Sequence, residues 1–411
     1  MSYGPVLAAA FLLWPVMSFL GGQGYAPLVG LTGIAALFVA RPRMPPAIFA
    51  MTGFVFVAWA GLTEVLYGSG APLVSGSLTD GNFAVKARGV SMILLALVSA
   101  LTIAATLRAA PGPRASAIVA GILAVQAGLF IVSAFFAEPL LSVFYSSDAL
   151  RIPEGMQNVG RIANTVALAL PLLLPMLVFR WRTKGVLLAS ALTVGAFTAY
   201  LKLGSDSALF ALGGMAAAIG LVTILPRLGF RWLFGLLAGY VATAPILFLG
   251  AVRVLEPYAM QLPGSFRSRL WSWETVIAKM PEAPFTGHGM NATSRWKETF
   301  STRPDLLAQL PDNWKDYPIV PGHPHNMPLQ IWVETGMIGA MIAALSILAL
   351  GFHLPRPSEL RPEIRYGIAG LAGAATVIIS FAYSVWNEGF WGSLALAAAA
   401  LVLWHRTLKD V

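Results

Sequence analysis

The chain contains no cysteine, so neither a disulfide framework nor thiol nucleophilic chemistry is open to it. Charge is scarce too: Asp, Glu, Lys and Arg make up 11% of 411 residues, against about 25% in an ordinary soluble domain. There is no GxxxxGK[ST] loop to cradle phosphate, no HExxH zinc pair, and no paired-aspartate metal site in the polar stretches. Any driving force for a reaction therefore has to arrive with the substrate.

What fills the chain instead is apolar. Hydrophobic residues are 57% of the total and the mean hydropathy is +0.73. The apolar runs are about twenty residues long, enough to cross a bilayer as helices, and lack the alternation of barrel strands. In lipid only helices and closed barrels satisfy their own backbone, so the fold class is an all-α polytopic membrane protein. Twelve spans are predicted, at 4–20, 25–40, 47–66, 89–107, 116–137, 163–179, 185–201, 207–225, 231–251, 328–351, 366–383 and 388–404. The first run has no basic residue before it and no A-x-A site after it, which marks a retained helix and not a cleaved signal peptide.

Charge then orients the spans. One alternating set of connectors, with the C-terminal tail, holds 14 basic residues, Arg41, Arg180, Arg182, Lys184 and Arg406 among them, against three acids. By the positive-inside rule these face the cytoplasm, and so do both termini. The basic balance is thus topology, and no nucleic-acid partner is expected. The opposite face carries the long connectors 67–88, 138–162 and 252–327, and long loops in compact folds are usually functional. Three regions follow: 1–251 with nine spans, 252–327 as one large periplasmic loop containing short helices and catalytic residues, and 328–411 with the last three spans. Within the loop, Ser268–Met280 reads as a short helix with Trp271, Ile277 and Met280 on an apolar side. It either lies among lipid headgroups or packs as a lid on the bundle.

Candidate chemistry gathers where that loop meets the next span, at PGHPHNMPLQIWVETGMIGA. His325 is an imidazole suited to take a proton from a hydroxyl, with Asn326 or the loop backbone to orient it. The competing reading makes His325 and Asn326 a helix-capping pair. His323 and His325 form an H-x-H that could touch a metal, though with no carboxylate set beside it. On the same outer face stand Arg88, Arg161, Arg267 and Arg269, whose planar forks match phosphate oxygens. Ion pairing with nearby acids is the alternative for each. Asn164, one helical turn after Arg161, would share its face. Lys202 and Asp206 suggest a local ion pair, and Glu334, an acid at membrane depth, calls for one of the arginines or Lys202 as partner.

These residues carry a resemblance. Arg161-Ile162-Ala163-Asn164, Arg269-x-x-x-Trp273 followed by Pro284-Phe285-Thr286-Gly287-His288-Gly289, and His325-Asn326-x-x-Leu329-Gln330-x-x-x-Glu334-x-Gly336-x-x-Gly339 resemble the O-antigen ligase family. Its superfamily also holds O-antigen polymerases and bacterial protein O-oligosaccharyltransferases. The resemblance spans about 160–340 and implies a glycosyltransferase of GT-C-like design in the bacterial inner membrane, its active site facing the periplasm. The implied donor is an undecaprenyl-diphosphate-linked glycan and the implied acceptor a sugar hydroxyl of lipid A–core. Transfer would be inverting and metal-independent, with no cofactor. His325 would be the general base and Arg269 a diphosphate contact, Arg88, Arg161 and Arg267 assisting and Asn164, Asn326, Glu334 and His323 supporting. The family's usual Ser-Arg at the eighth span is Ser205-Asp206 here, which puts that turn's role in question. A single dominant outer loop favours ligase over polymerase or protein O-transferase. Polar residues confined to one face, with no matched halves, disfavour a lipid-linked sugar transporter.

Overall fold

A computed structural model describes residues 3–19, 24–39, 47–67, 74–75, 84–85, 88–108, 113–144, 151–308, 310 and 314–409. Their helices are α1 Gly4–Phe19, α2 Tyr25–Val39, α3 Ala47–Tyr67, α4 Arg88–Arg108, α5 Pro113–Phe144, α6 Arg151–Leu203, α7 Asp206–Ile224 and α8 Gly229–Leu255. Then come α9 Gly264–Lys279, the single turn α10 Pro304–Leu307, α11 Met327–His353, α12 Pro362–Phe381 and α13 Glu388–Lys409. The exception is a two-residue antiparallel pair, Val74–Ser75 with Ala84–Val85.

Among the described residues seven helices are long and apolar enough to cross a membrane. They lie in α4 to α8, α11 and α12, while Gly4–Ser18, Tyr25–Val39 and Gly53–Tyr67 are shorter apolar helices. The stretch 158–203 of α6, 46 residues, would reach about 69 Å if straight, twice the hydrocarbon thickness of about 30 Å. It breaks at Arg182, where φ is +48°, between the predicted spans 163–179 and 185–201. The bundle's flanks fit a lipid solvent: Phe38, Ile224 and Ile246 are 80%, 77% and 74% exposed, a surface a water-soluble monomer would bury or avoid. The chain is a multi-pass helical membrane protein.

Packing inside the bundle relies on small residues, as it must where lipid tails offer no hydrophobic drive between helices. A side chain at Gly373 of α12 would come 2.2 Å from the Gly214 carbonyl of α7, so this crossing is a backbone-to-backbone approach. The described residues of the long segment 256–326 fold as short helices and turns over one end of α8 and α11. Trp273 and Val276 of α9 pack with Phe248 and Val252 of α8 and with Leu329 and Val333 of α11. Trp271 packs with Phe300, Leu306 and Ile319. Both tryptophans are buried, which decides for the packed lid. At about 150–250 Å² per ring, each burial is worth at most on the order of 4–6 kcal/mol before entropy is counted.

Helix α11 is not continuous. Gly336 has φ +66° and ψ −173°, and the carbonyls and amides freed around it are taken up by the segment 284–289. The His288 and Gly289 amides donate to the Val333 and Glu334 carbonyls at 2.9 and 3.0 Å, while the Met337 and Ile338 amides donate to the Pro284 and Phe285 carbonyls at 2.9 and 3.2 Å. Gly287, at φ +70°, makes the return turn. A Cβ there would lie 2.4 Å from the Glu334 carbonyl carbon, and one on Gly336 would lie 2.2 Å from the Phe285 oxygen. Both positions require glycine, which gives the Gly287 and Glu334-x-Gly336 motifs a structural meaning.

Candidate active site

His325 sits at the mouth of α11 in a backbone conformation non-glycine residues seldom adopt, φ +50°. Pro324 and Pro328 bracket it and keep helix from starting earlier. Asn326 begins the helix: its Oδ1 accepts from the Leu329 amide at 2.9 Å and its Nδ2 donates to the Ser380 carbonyl at 3.2 Å. The capping function therefore falls to Asn326, and the imidazole is oriented by backbone. His325 Nδ1 lies 2.9 Å from the Ala382 carbonyl oxygen. A carbonyl can only accept, so Nδ1 carries the proton and Nε2 keeps its lone pair. Burial lowers the His325 pKa; the Ala382 bond opposes this, and the nearby Arg269 charge lowers it further. The imidazole is thus held neutral, with one nitrogen basic.

Arg269 lies on α9, which the Trp273 and Val276 contacts fix in orientation. Its Nε and Nη1 are buried with no hydrogen-bond partner among the described residues. Its guanidinium stands 5.4 Å from the centre of the Phe266 ring. Burial lowers its pKa while Asp206 raises it. A buried, unanswered fork of this kind is expensive and matches the needs of an anion. Phe266, Phe210 and Phe381 form an aromatic group at this point, and Phe210 is 46% exposed on the flank of α7. Arg269 thus adjoins an apolar surface open to lipid.

The other predicted residues are placed as follows. Arg267 points elsewhere, donating to the Leu262 carbonyl at 3.2 Å and to Met260 Sδ at 3.6 Å, and so ties the turn before α9. Arg161 is exposed and donates to Asn158 at 3.1 Å; its charge also registers at the Tyr383 hydroxyl. Arg88 opens α4, but its side chain lies outside the described residues. Asn164 bridges helices, its Nδ2 donating to the Tyr383 hydroxyl at 3.4 Å and its Oδ1 accepting from Ser207 at 2.9 Å. His323 Nδ1 accepts from the His325 amide at 3.1 Å, and the two rings lie 4.3 Å apart. Among the described residues, no third His, Asp or Glu joins them in a metal-sized group.

Two expectations fail. No ion pair forms between Lys202 and Asp206 among the described residues: the chain turns between them at Gly204, φ +61°, Lys202 is exposed, and the Asp206 charge acts on Arg269. Glu334 also has no cation partner among the described residues. It is fully buried and accepts five hydrogen bonds: from the Asn291 amide at 2.7 Å, the Thr293 amide and hydroxyl at 3.1 and 2.6 Å, Gln330 at 3.2 Å, and the Trp386 indole. Neutral donors convened from loop, helix and turn replace the missing charge.

Sequence reasoning missed the turn 382–387 between α12 and α13. Gln330 holds it, Oε1 accepting from the Val385 amide at 2.9 Å and Nε2 donating to Ser384 at 3.0 Å. Gln330 and Glu334 thus fix the segment whose Ala382 carbonyl sets the His325 tautomer. Its polar letters inside an apolar run, FAYSVWNEG, were the available signal. Beside it opens a cavity of about 520 Å³, its wall including His323, Asn164, Tyr383 and Glu388.

A histidine oriented by backbone and a buried arginine within electrostatic range of it stand at one end of a multi-pass helical bundle, and the class these define is an integral membrane protein. Residues 159–344 match the family model described as O-antigen ligase, so the motif resemblance is borne out over that segment. The chain is 31% identical over 129 residues to a Rickettsia conorii protein, and 30% identical over 129 residues to one from Rickettsia felis, each bearing the name "putative polysaccharide ligase". Each match covers 30% of this chain and 30% of the relative.

Proposed function

We propose that the protein is an O-antigen ligase, transferring a glycan from undecaprenyl diphosphate to a sugar hydroxyl of lipid A–core at the periplasmic side of the inner membrane. In this reading the bundle makes about twelve spans in a GT-C-like arrangement, both termini are cytoplasmic, and 252–327 is the periplasmic loop. One observation carries the chemistry: His325 keeps Nε2 unprotonated while Nε and Nη1 of Arg269, whose charge depresses the imidazole's pKa, have no hydrogen-bond partner among the described residues.

The step balances without a cofactor. His325 Nε2 takes the proton of the acceptor hydroxyl, the oxygen attacks the anomeric carbon, and the bond from that carbon to the diphosphate oxygen breaks. The electron pair leaves on the diphosphate, whose growing charge Arg269 stabilises in a poorly hydrated setting. The products are a glycoside of inverted configuration, undecaprenyl diphosphate and a protonated histidine, which returns its proton to solvent. The exposed Phe210 beside Arg269 gives the isoprenoid an apolar approach from lipid. Asp206 near Arg269 tempers the positive field there, so fewer charges serve the diphosphate than the family pattern implies.

The test incubates purified protein with polyprenyl-diphosphate glycan and, separately, lipid A–core, donor alone or peptide. Glycosylated lipid A–core supports the ligase. Glycan extension with donor alone would instead identify a polymerase, and modified peptide a protein O-transferase.

A further inference from the structure

We propose that the cavity of about 520 Å³ beside the turn 382–387 is the acceptor's sugar subsite, with Glu388, Asn164 and Tyr383 as its specificity-determining contacts. This rests on the transferase reading and assigns the half of the site that reading leaves open.

Chemistry and position both favour a saccharide. The volume lies within the range of roughly 300–1,000 Å³ for small-ligand sites. The wall combines aromatic rings, Tyr383, Trp386 and Phe390, with a carboxylate, Glu388, and an amide, Asn164. Rings that can lie against the C–H face of a pyranose, next to acceptors and donors for its hydroxyls, are what a polyhydroxylated ring needs. The wall presents a carboxylate, Glu388, and the Arg269 guanidinium does not line it, so the diphosphate contact proposed above lies outside the cavity.

The cavity is joined to the reaction centre by two short routes. On one, the ring of its wall residue His323 lies 4.3 Å from that of His325, tilted against it, and the His325 imidazole feels Arg269. On the other, Asn164 binds Ser207, the neighbour of Asp206, whose charge also acts on Arg269. The histidine pair therefore links the diphosphate contact to the cavity. An inverting displacement needs the base on the acceptor's side, because the attacking oxygen approaches the anomeric carbon from the side away from the leaving group. The cavity's contacts are also built in: Glu388 accepts from Ser91 on α4 at 2.5 Å, and Tyr383 is held by Asn164.

Two measurements test the assignment. Glu388→Gln and Tyr383→Phe, conservative in shape, should each raise the acceptor KM about 5-fold or more, with the donor KM and kcat within about 2-fold of the parent. Because the chain lacks cysteine, Gly389→Cys places its single thiol in the cavity wall. Lipid A–core should slow labelling of that thiol by a methanethiosulfonate at least 3-fold, and polyprenyl-diphosphate glycan should not. An unchanged acceptor KM in both variants, with labelling indifferent to lipid A–core, would overturn the subsite even if the parent transfers glycan normally. Protection by the lipid-linked glycan instead would assign the cavity to the donor. Absence of transfer by the parent in every acceptor arm would strike the transferase reading, and labelling protection would still report on the cavity.

Discussion

His325 Nδ1 and the carbonyl oxygen of Ala382 are 2.9 Å apart, although 57 positions separate them in the chain. That bond makes the tautomer of a loop histidine a property of the turn between the last two helices. Removing the ring should therefore remove the base and leave the turn in place. His325→Ala is expected to lower transfer by about 10²–10⁴-fold, the usual contribution of a positioned base. Donor binding in detergent should stay within about 2-fold of the parent, measured by radiolabelled donor retention. Near-normal transfer would remove histidine from the mechanism.

The pH profile follows from the depressed pKa. Activity needs the unprotonated imidazole, so kcat should be level at neutral pH and decline only in acid, below the ordinary histidine value, as protonation sets in. Burial is the main cause and Arg269 contributes in the same direction. Arg269→Gln removes a positive neighbour, so protonation becomes easier and the acid limb should move to higher pH. An unmoved limb would separate the two residues electrostatically.

Arg269 should also act on the leaving group. Arg269→Ala is expected to cost about 10²–10³-fold in kcat/KM, as loss of one preorganised donor does. Arg269→Lys should recover part of that because charge returns without the planar fork. Full recovery by lysine would reduce the role to simple charge.

Glu334 is tested through stability. Glu334→Ala strands five donors in the interior, and breaking such a network should cost about 3–5 kcal/mol, read as a lower melting temperature in detergent. Because the same carboxylate accepts from the Trp386 indole, the emission of that tryptophan should shift as well. A melting temperature equal to the parent's would show that the network carries little.

Gly336→Ala sets a Cβ 2.2 Å from a carbonyl oxygen at positive φ, so the yield of folded protein should collapse. Gly250→Ala on α8, with no atom within 4 Å of the new carbon, should be neutral or slightly stabilising. Similar yields from both would deny the break its role.

Much of this was legible beforehand. Apolar length places the helices, and the scarcity of charge makes each outer-face arginine and the loop histidines conspicuous. His325 and Arg269 do come within electrostatic range of one another. Periodicity could not show that the run from 328 to 351 is interrupted, because Gly336 is apolar by composition and the break is satisfied by the amides of 288 and 289 and the carbonyls of 284 and 285, distant in sequence. Nor could it show that Glu334 needs no cation, since its donors are two backbone amides, a hydroxyl, a side-chain amide and an indole drawn from three segments. Lys202 and Asp206 looked paired by spacing alone, yet no ion pair joins them among the described residues, and the chain turns at Gly204 between them.

The interlock at Gly336 has a practical corollary. With four main-chain bonds stitching 284–289 into α11, the covering segment is anchored at that seam and is no freely hinged door. Chimeras that borrow this segment from a relative should fail unless residues 333–338 travel with it, so the two pieces form one exchangeable cassette.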